Sequence, residues 1–272
     1  MKRRYVIGLA VVALGLGVWG ATRLAIRHDK LPLYDTARSR SVPVDLYVRR
    51  DKAIRAAAGM GVLRVAILNH GNTVQSSEYR FLANVLAARG YLVASIQHDL
   101  PTDPPLSMKG SPYVGRLATY ERGAANINFV LGELRKIEPN ADYEGITVAG
   151  HSKGGDISVF YAAGHPDLVD RVITLDNLRV PLEFVKAKVL SFRSRGDDFK
   201  PDPGVVPDMA KSRDLDVELD STDAHHTDLS DRGPNSIKDR ISAKLERFLS
   251  DDNLRVKKPT IPPVQVAPGV PQ

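Results

Sequence analysis

Short β-rich apolar runs alternate with stretches of helical period along most of this chain, and that alternation leaves few folds open. Strand-type runs fall at Val42–Val48, Leu63–Leu68, Tyr91–Ile96, Ile146–Ala149, Val172–Leu175, Val189–Phe192 and Val217–Leu219. Helical spacing falls at Glu78–Arg89, Tyr120–Lys136, Gly155 to Ala163, and Ser236–Leu249. In the first of these, Phe81, Leu82, Val85 and Leu86 recur on one face and Gly90 ends the run. Strands that alternate with helices call for a mostly parallel central sheet covered on both faces. Chemistry in such sheets gathers beyond the carboxyl ends of the strands. The polar residues just past those ends are His70, Ser152, Asp197 with Asp198, and His225 with His226.

The ends of the chain read differently from its body. Lys2, Arg3 and Arg4 precede a charge-free, mostly apolar run from Tyr5 to Thr22. A run of this length reads as a signal peptide or an N-terminal membrane anchor. The basic residues before it predict that the body is exported to the periplasm or another extracytoplasmic space. Residues 253–272 are dense in proline and predict an extended or disordered tail. Residues 31–252 are left as one domain.

The formal charge of +6 does not point to nucleic acid. Residues 1–30 hold six Lys/Arg and one acid, so the body is close to neutral and shows no basic stripe. The absence of cysteine excludes disulfides, thiolate metal sites and a cysteine nucleophile.

The most informative stretch is Gly150-His151-Ser152-Lys153-Gly154-Gly155, which follows Ile146–Ala149 and precedes a helix. A serine held in a tight strand-to-helix turn stands clear of the sheet only if the residues two before and two after it are small. Gly150 and Gly154 satisfy that, and Gly155 lets the helix approach the neighbouring strand. This is the G-x-S-x-G pattern of a nucleophile elbow in its confirming context. A serine hydroxyl needs a base, and the base needs an orienting carboxylate. Asp198, with Asp197 and more remotely Asp202 as alternatives, follows the Val189–Phe192 run. His226, with His225 as alternative, follows Val217–Leu219.

From about Tyr34 to Leu249 the chain resembles the α/β-hydrolase superfamily, serine esterase and lipase type. The likeness rests on Asn69-His70-Gly71-Asn72, the GHSKGG turn, the acid loop and the late histidine. It implies hydrolysis of a small-molecule ester through an acyl-serine, without a cofactor. By position it implies Ser152 as nucleophile, His226 as base and Asp198 as its partner. The backbone N–H groups of Lys153 and Asn72 would form the oxyanion hole. The run His226-Thr227-Asp228-Leu229 resembles the context that often follows the catalytic histidine. The interval Asp176–Lys188 is too short for a large cap domain.

Other readings stay open at this point. The same triad would serve an amide or peptide hydrolase, and a hydrolase fold can also act as a non-catalytic binding protein at a membrane. His225-His226 with Asp228, or His98-Asp99, could hold a metal. His70 reads as a structural turn residue, the Lys153 side chain as a solvated charge, and Leu106, Met108 and Tyr113 as a possible pocket wall.

Overall fold

A computed structural model describes residues 26–107, 109, 113–196 and 199–250. The apolar N-terminal run and the proline-rich tail lie outside the described residues. No described helix is long and apolar enough to cross a membrane.

Eight strands form one sheet in the order β1-β2-β4-β3-β5-β6-β7-β8. They are β1 Ile26–Asp35, β2 Arg40–Arg49, β3 Leu63–Asn69, β4 Tyr91–Ile96, β5 Ala141–His151, β6 Val169–Leu175, β7 Lys188–Arg193 and β8 Val217–Ser221. The strands from β3 to β8 run parallel, while β2 is antiparallel to both β1 and β4. The helices are α1 Arg50–Ala57, α2 Arg80–Ala88, α3 Leu117–Ile137, α4 Lys153–Gly164, α5 Met209–Asp214 and α6 Asn235–Ser250.

Both faces of the sheet are covered, and the strand sequences show why. Side chains alternate across a strand. Val65, Ile67, Leu92, Ala94, Val172 and Val189 go to one side, where α3 and α4 supply Ile127, Val130, Leu134, Ile157 and Tyr161. Ala66, Leu68, Val93, Ile173, Leu190 and Phe192 go to the other, against Leu82 and Leu86 of α2 and Ile241, Leu245 and Phe248 of α6. The expected mostly parallel, doubly covered sheet is therefore present. The β6–β7 connection holds only a single 3-10 turn at Leu182–Phe184, with no inserted cap.

Three elements differ from the sequence expectation. The domain boundary set at residue 31 falls inside β1, whose Ile26 to Lys30 pair with Asp45 to Arg49. β1 is an edge strand with a half-exposed, weakly apolar pattern, so its sequence blends into the charged flank of the N-terminal run. Helix α1 buries Ala56 alone, and α5 is only six residues long. Neither has an apolar face for periodicity to detect.

Candidate active site

Steric demand builds the elbow. Ser152 joins β5 to α4 at φ 53° and ψ −120°, a backbone state that L-residues avoid. A Cβ at position 150 would lie 2.2 Å from the Gly154 carbonyl oxygen. One at position 154 would lie 2.0 Å from the carbonyl oxygen of Asn69. Those distances are far inside contact, so both glycines are obligatory. At 155 the approach to Asn177 is 3.0 Å, which lets α4 settle beside the β6 end. The Ser152 N–H is tied to the Leu175 carbonyl at 2.9 Å.

Beyond the elbow stands an imidazole–carboxylate pair. His226 Nδ1 donates to Asp176 Oδ2 at 2.7 Å, and both side chains are buried. Asp176 leaves the end of β6 at φ 56°. Its Oδ2 also accepts the Ser194 hydroxyl at 2.6 Å, and its Oδ1 faces Arg193 Nη2 at 2.9 Å. Burial alone would raise this carboxyl. Hydrogen bonds from His226 and Ser194 and the Arg193 charge outweigh it and hold the carboxyl below its ordinary value. Asp176 therefore stays ionised beside the ring that it orients, and Nε2 has no hydrogen-bond partner among the described residues.

Ser152 and His226 line one cavity of about 360 Å³, together with Asn72, Leu106, Phe199 and others. A second cavity of about 210 Å³ shares Asn72, Thr73 and Leu106 with it. The N–H of Lys153 lies in the first turn of α4, where helical N–H groups lack intrahelical acceptors. Asn72 lines both cavities beside it. Neither backbone N–H donates to an acceptor among the described residues.

The acid is the main correction to the sequence reading. Asp197 and Asp198 lie outside the described residues, and the carboxylate on His226 is Asp176, one strand nearer the elbow. Asp202 is ion-paired with Arg179 at 2.5 Å and does not reach the histidine. The end of β7 instead carries Arg193, a cation that braces Asp176. The signal was in the sequence: Asp176 is the first residue past the apolar run Val172–Leu175. Two adjacent strand ends compete for one imidazole, and only the positions of β6 and β8 decide between them.

The histidines sort cleanly. His226 faces the cavity, while His225 is exposed, with Arg195 Nη2 2.9 Å from its Nδ1. Asp228 caps the turn between them, accepting the His225 N–H at 3.1 Å. His70 is the structural residue expected. Its Nδ1 donates to the Gly71 carbonyl at 2.7 Å and its Nε2 accepts the His98 N–H at 2.9 Å. Burial pulls its pKa down to about 4. Both nitrogens of His98 are engaged, with Asn69 at 2.8 Å and Asn126 at 3.2 Å.

Lys153 departs from expectation. Its side chain is buried and ion-paired to Asp99. Burial pulls its ammonium below the ordinary lysine value, and Asp99 opposes that. Of the three residues expected to form a pocket wall, Leu106 does so. Met108 lies outside the described residues, and Tyr113 sits against Tyr120 in the core.

Sequence reasoning also missed a buried relay behind the site. The Gly71 N–H donates to the Tyr79 hydroxyl at 3.0 Å, which in turn donates to His151 Nδ1 at 2.8 Å. His151 Nε2 then donates to the His226 carbonyl at 2.9 Å. The chain ties together the Gly71 loop, the elbow and the His226 loop. Burial pushes the His151 pKa down to about 3, so the ring stays neutral and keeps one donor and one acceptor.

No protein-family model and no curated protein sequence matches the chain. Solved structures do. A Klebsiella pneumoniae subsp. pneumoniae protein assigned as a dienelactone hydrolase superposes with TM-score 0.59 at 15% identity, covering 84% of this chain and 99% of that one. The S-formylglutathione hydrolase of Staphylococcus aureus gives 0.57 at 12% identity, over 82% of this chain and 96% of its own. The esterase Est22 gives 0.56 at 11% identity, over 83% and 82%. At such identities the likeness is one of architecture: the chain has the α/β-hydrolase fold.

Proposed function

We propose that this protein is a serine hydrolase that cleaves carboxylic esters through an acyl-serine. The observation that carries the reading is the His226–Asp176 pair at 2.7 Å, opening onto the cavity that the strained Ser152 also lines. The fold shared with esterases and other hydrolases supports it.

In the first step Ser152 Oγ attacks the ester carbonyl and its proton passes to His226 Nε2. Asp176 stabilises the imidazolium and fixes the tautomer. The oxyanion forms against the N–H groups of Lys153 and Asn72, and each such donor contributes about 3–4 kcal/mol in other enzymes. As the tetrahedral species collapses, the carbon–oxygen bond to the alcohol breaks and His226 protonates the leaving oxygen. Water then attacks the acyl-serine, His226 takes its proton, and the acid leaves as Ser152 recovers its hydrogen.

Ser152→Ala tests the assignment. We expect turnover of p-nitrophenyl butyrate to fall to background, and labelling by a fluorophosphonate probe to vanish, with the circular dichroism spectrum unchanged. Retained turnover overturns the reading. The basic, apolar N-terminal run supports export as part of the same proposal, with the body held at or beyond the membrane.

A further inference from the structure

We propose that the ester taken by this site carries a second, anionic group, a carboxylate, received by the guanidinium groups of Arg179 and Arg232. The proposal rests on the serine-hydrolase reading and adds the charge of the substrate.

The cavity that holds Ser152 and His226 is lined by Arg116, Arg179 and Arg232, and by no carboxylate among the described residues. The adjoining cavity is built differently: there Arg122 and Lys153 are matched by Asp99 and Asp103. The arginines of the larger cavity do have counter-charges, but these are not among its described lining residues. Asp202 holds Arg179 through Nη1, Glu78 holds Arg232 through Nε and Nη2, and buried Asp156 feels the charge of Arg116. Each of these carboxylates lies outside the lining, so the described lining holds the cationic partner of each pair.

Arg179 and Arg232 each keep a nitrogen without an acceptor among the described residues. Arg232 Nε and Nη2 are used by Glu78 and the Thr73 carbonyl, and its Nη1 has no acceptor among the described residues. Arg179 Nη1 serves Asp202 and the Lys200 carbonyl, which leaves Nη2 without one. Arg116 is held further in, with Nε donating to the Ser107 carbonyl at 3.2 Å. Planar guanidinium groups with spare N–H donors match a carboxylate in shape and charge. The other walls, Val74, Leu106, Leu178 and Phe199, are apolar. Together they suit a short methylene chain between an ester carbonyl at Ser152 and a terminal carboxylate at the arginines. A neutral ester of the same length would lie against those cations without matching their charge. Arg179 is partly buried and Arg232 is exposed, so the gain from matching the charge is partly screened by solvent.

Monomethyl adipate and dimethyl adipate, compared by initial rates in a pH-stat, test this directly. The two differ only in the terminal charge. We expect kcat/KM for the monoester to exceed that for the diester by about tenfold or more, and added salt to shrink the ratio. Arg179→Gln and Arg232→Gln should each lower the ratio several-fold, while Arg179→Lys, which keeps the charge, should retain most of it. A wild-type preference for the diester, no preference, or a ratio unmoved in both glutamine variants overturns the proposal. Turnover of p-nitrophenyl butyrate, abolished by Ser152→Ala, separates the two failures. If that control holds and the adipate ratio is flat, or neither adipate is cleaved, the charge assignment falls alone. If the control fails, the hydrolase reading falls with it.

Discussion

At the scale of single residues, Asp176 is the group on which the proposed mechanism turns. It is buried, ionised and shared between His226, Ser194 and Arg193. Asp176→Asn keeps the volume but offers the imidazole the wrong partner, and in a comparable triad this costs about 10⁴ in kcat. A loss of that order is expected here, measured with p-nitrophenyl butyrate, whereas Asp198→Asn should leave kcat within a few-fold. The reverse result would return the acid to the loop after β7. The same carboxyl links stability to pH. Its folded value lies below its unfolded one, so its contribution is fully present above the unfolded pKa of about 3.9 and is lost as pH falls through the folded value. The stability difference between wild type and Asp176→Asn should therefore be constant from pH 7 to 5 and shrink below pH 4, as read by urea unfolding. An unchanged difference at pH 3 would contradict it.

Tyr79 offers a second test at this scale. Tyr79→Phe removes the hydroxyl that receives the Gly71 N–H and donates to His151. A buried donor left unmatched costs about 1–3 kcal/mol. The melting temperature should drop by several degrees, with a parallel loss in kcat because the Gly71 and His226 loops lose their common tie. A melting point that holds steady would mean the relay has no mechanical role.

Among the elements, the β5–α4 turn is the most tightly determined. Gly154→Ala places a methyl 2.0 Å from the Asn69 carbonyl, a backbone atom that cannot step aside. The expected outcome is a protein that is inactive and destabilised by about 3 kcal/mol or more, since overpacking against backbone sits at the upper end of its usual range. Wild-type denaturant midpoints for this variant would show that the turn can open. This turn was fully legible in the sequence, because glycine identity reports a steric demand directly. So were Tyr91–Ile96 and the faces of α2, α3 and α6, where apolar spacing and burial coincide. The partner of His226 was not. Local pattern says that Asp176 and Asp198 each follow a strand, but not which of the two carboxylates the fold brings to the histidine that follows β8. Lys153 misled for a similar reason: a lysine in a polar turn reads as solvated, and only the fold brings Asp99 over it. Edge strand β1 escaped because half-exposed strands carry little apolar signal.

For the whole molecule, the sheet order accounts for how residues distant in sequence meet. Parallel strands from β3 to β8 bring Gly71, Ser152, Asp176 and His226 to one rim, and two-sided burial fixes their heights. The N-terminal run adds a prediction on this scale. A C-terminally tagged chain in a bacterial host should partition to the membrane or periplasmic fraction, and deletion of residues 5–22 should return it to the cytosol. A full-length protein found only in the cytosol would refute export.

One consequence follows from His226 pairing with Asp176 at the end of β6. In the proposed mechanism the carboxylate is supplied from β6, and no described residue between β7 and β8 takes part in proton transfer. Yet that stretch contributes Phe199 to the cavity wall and Asp202 to the grip on Arg179. Substitutions there should shift which molecules are accepted, and laboratory evolution aimed at new substrates has a natural place to begin.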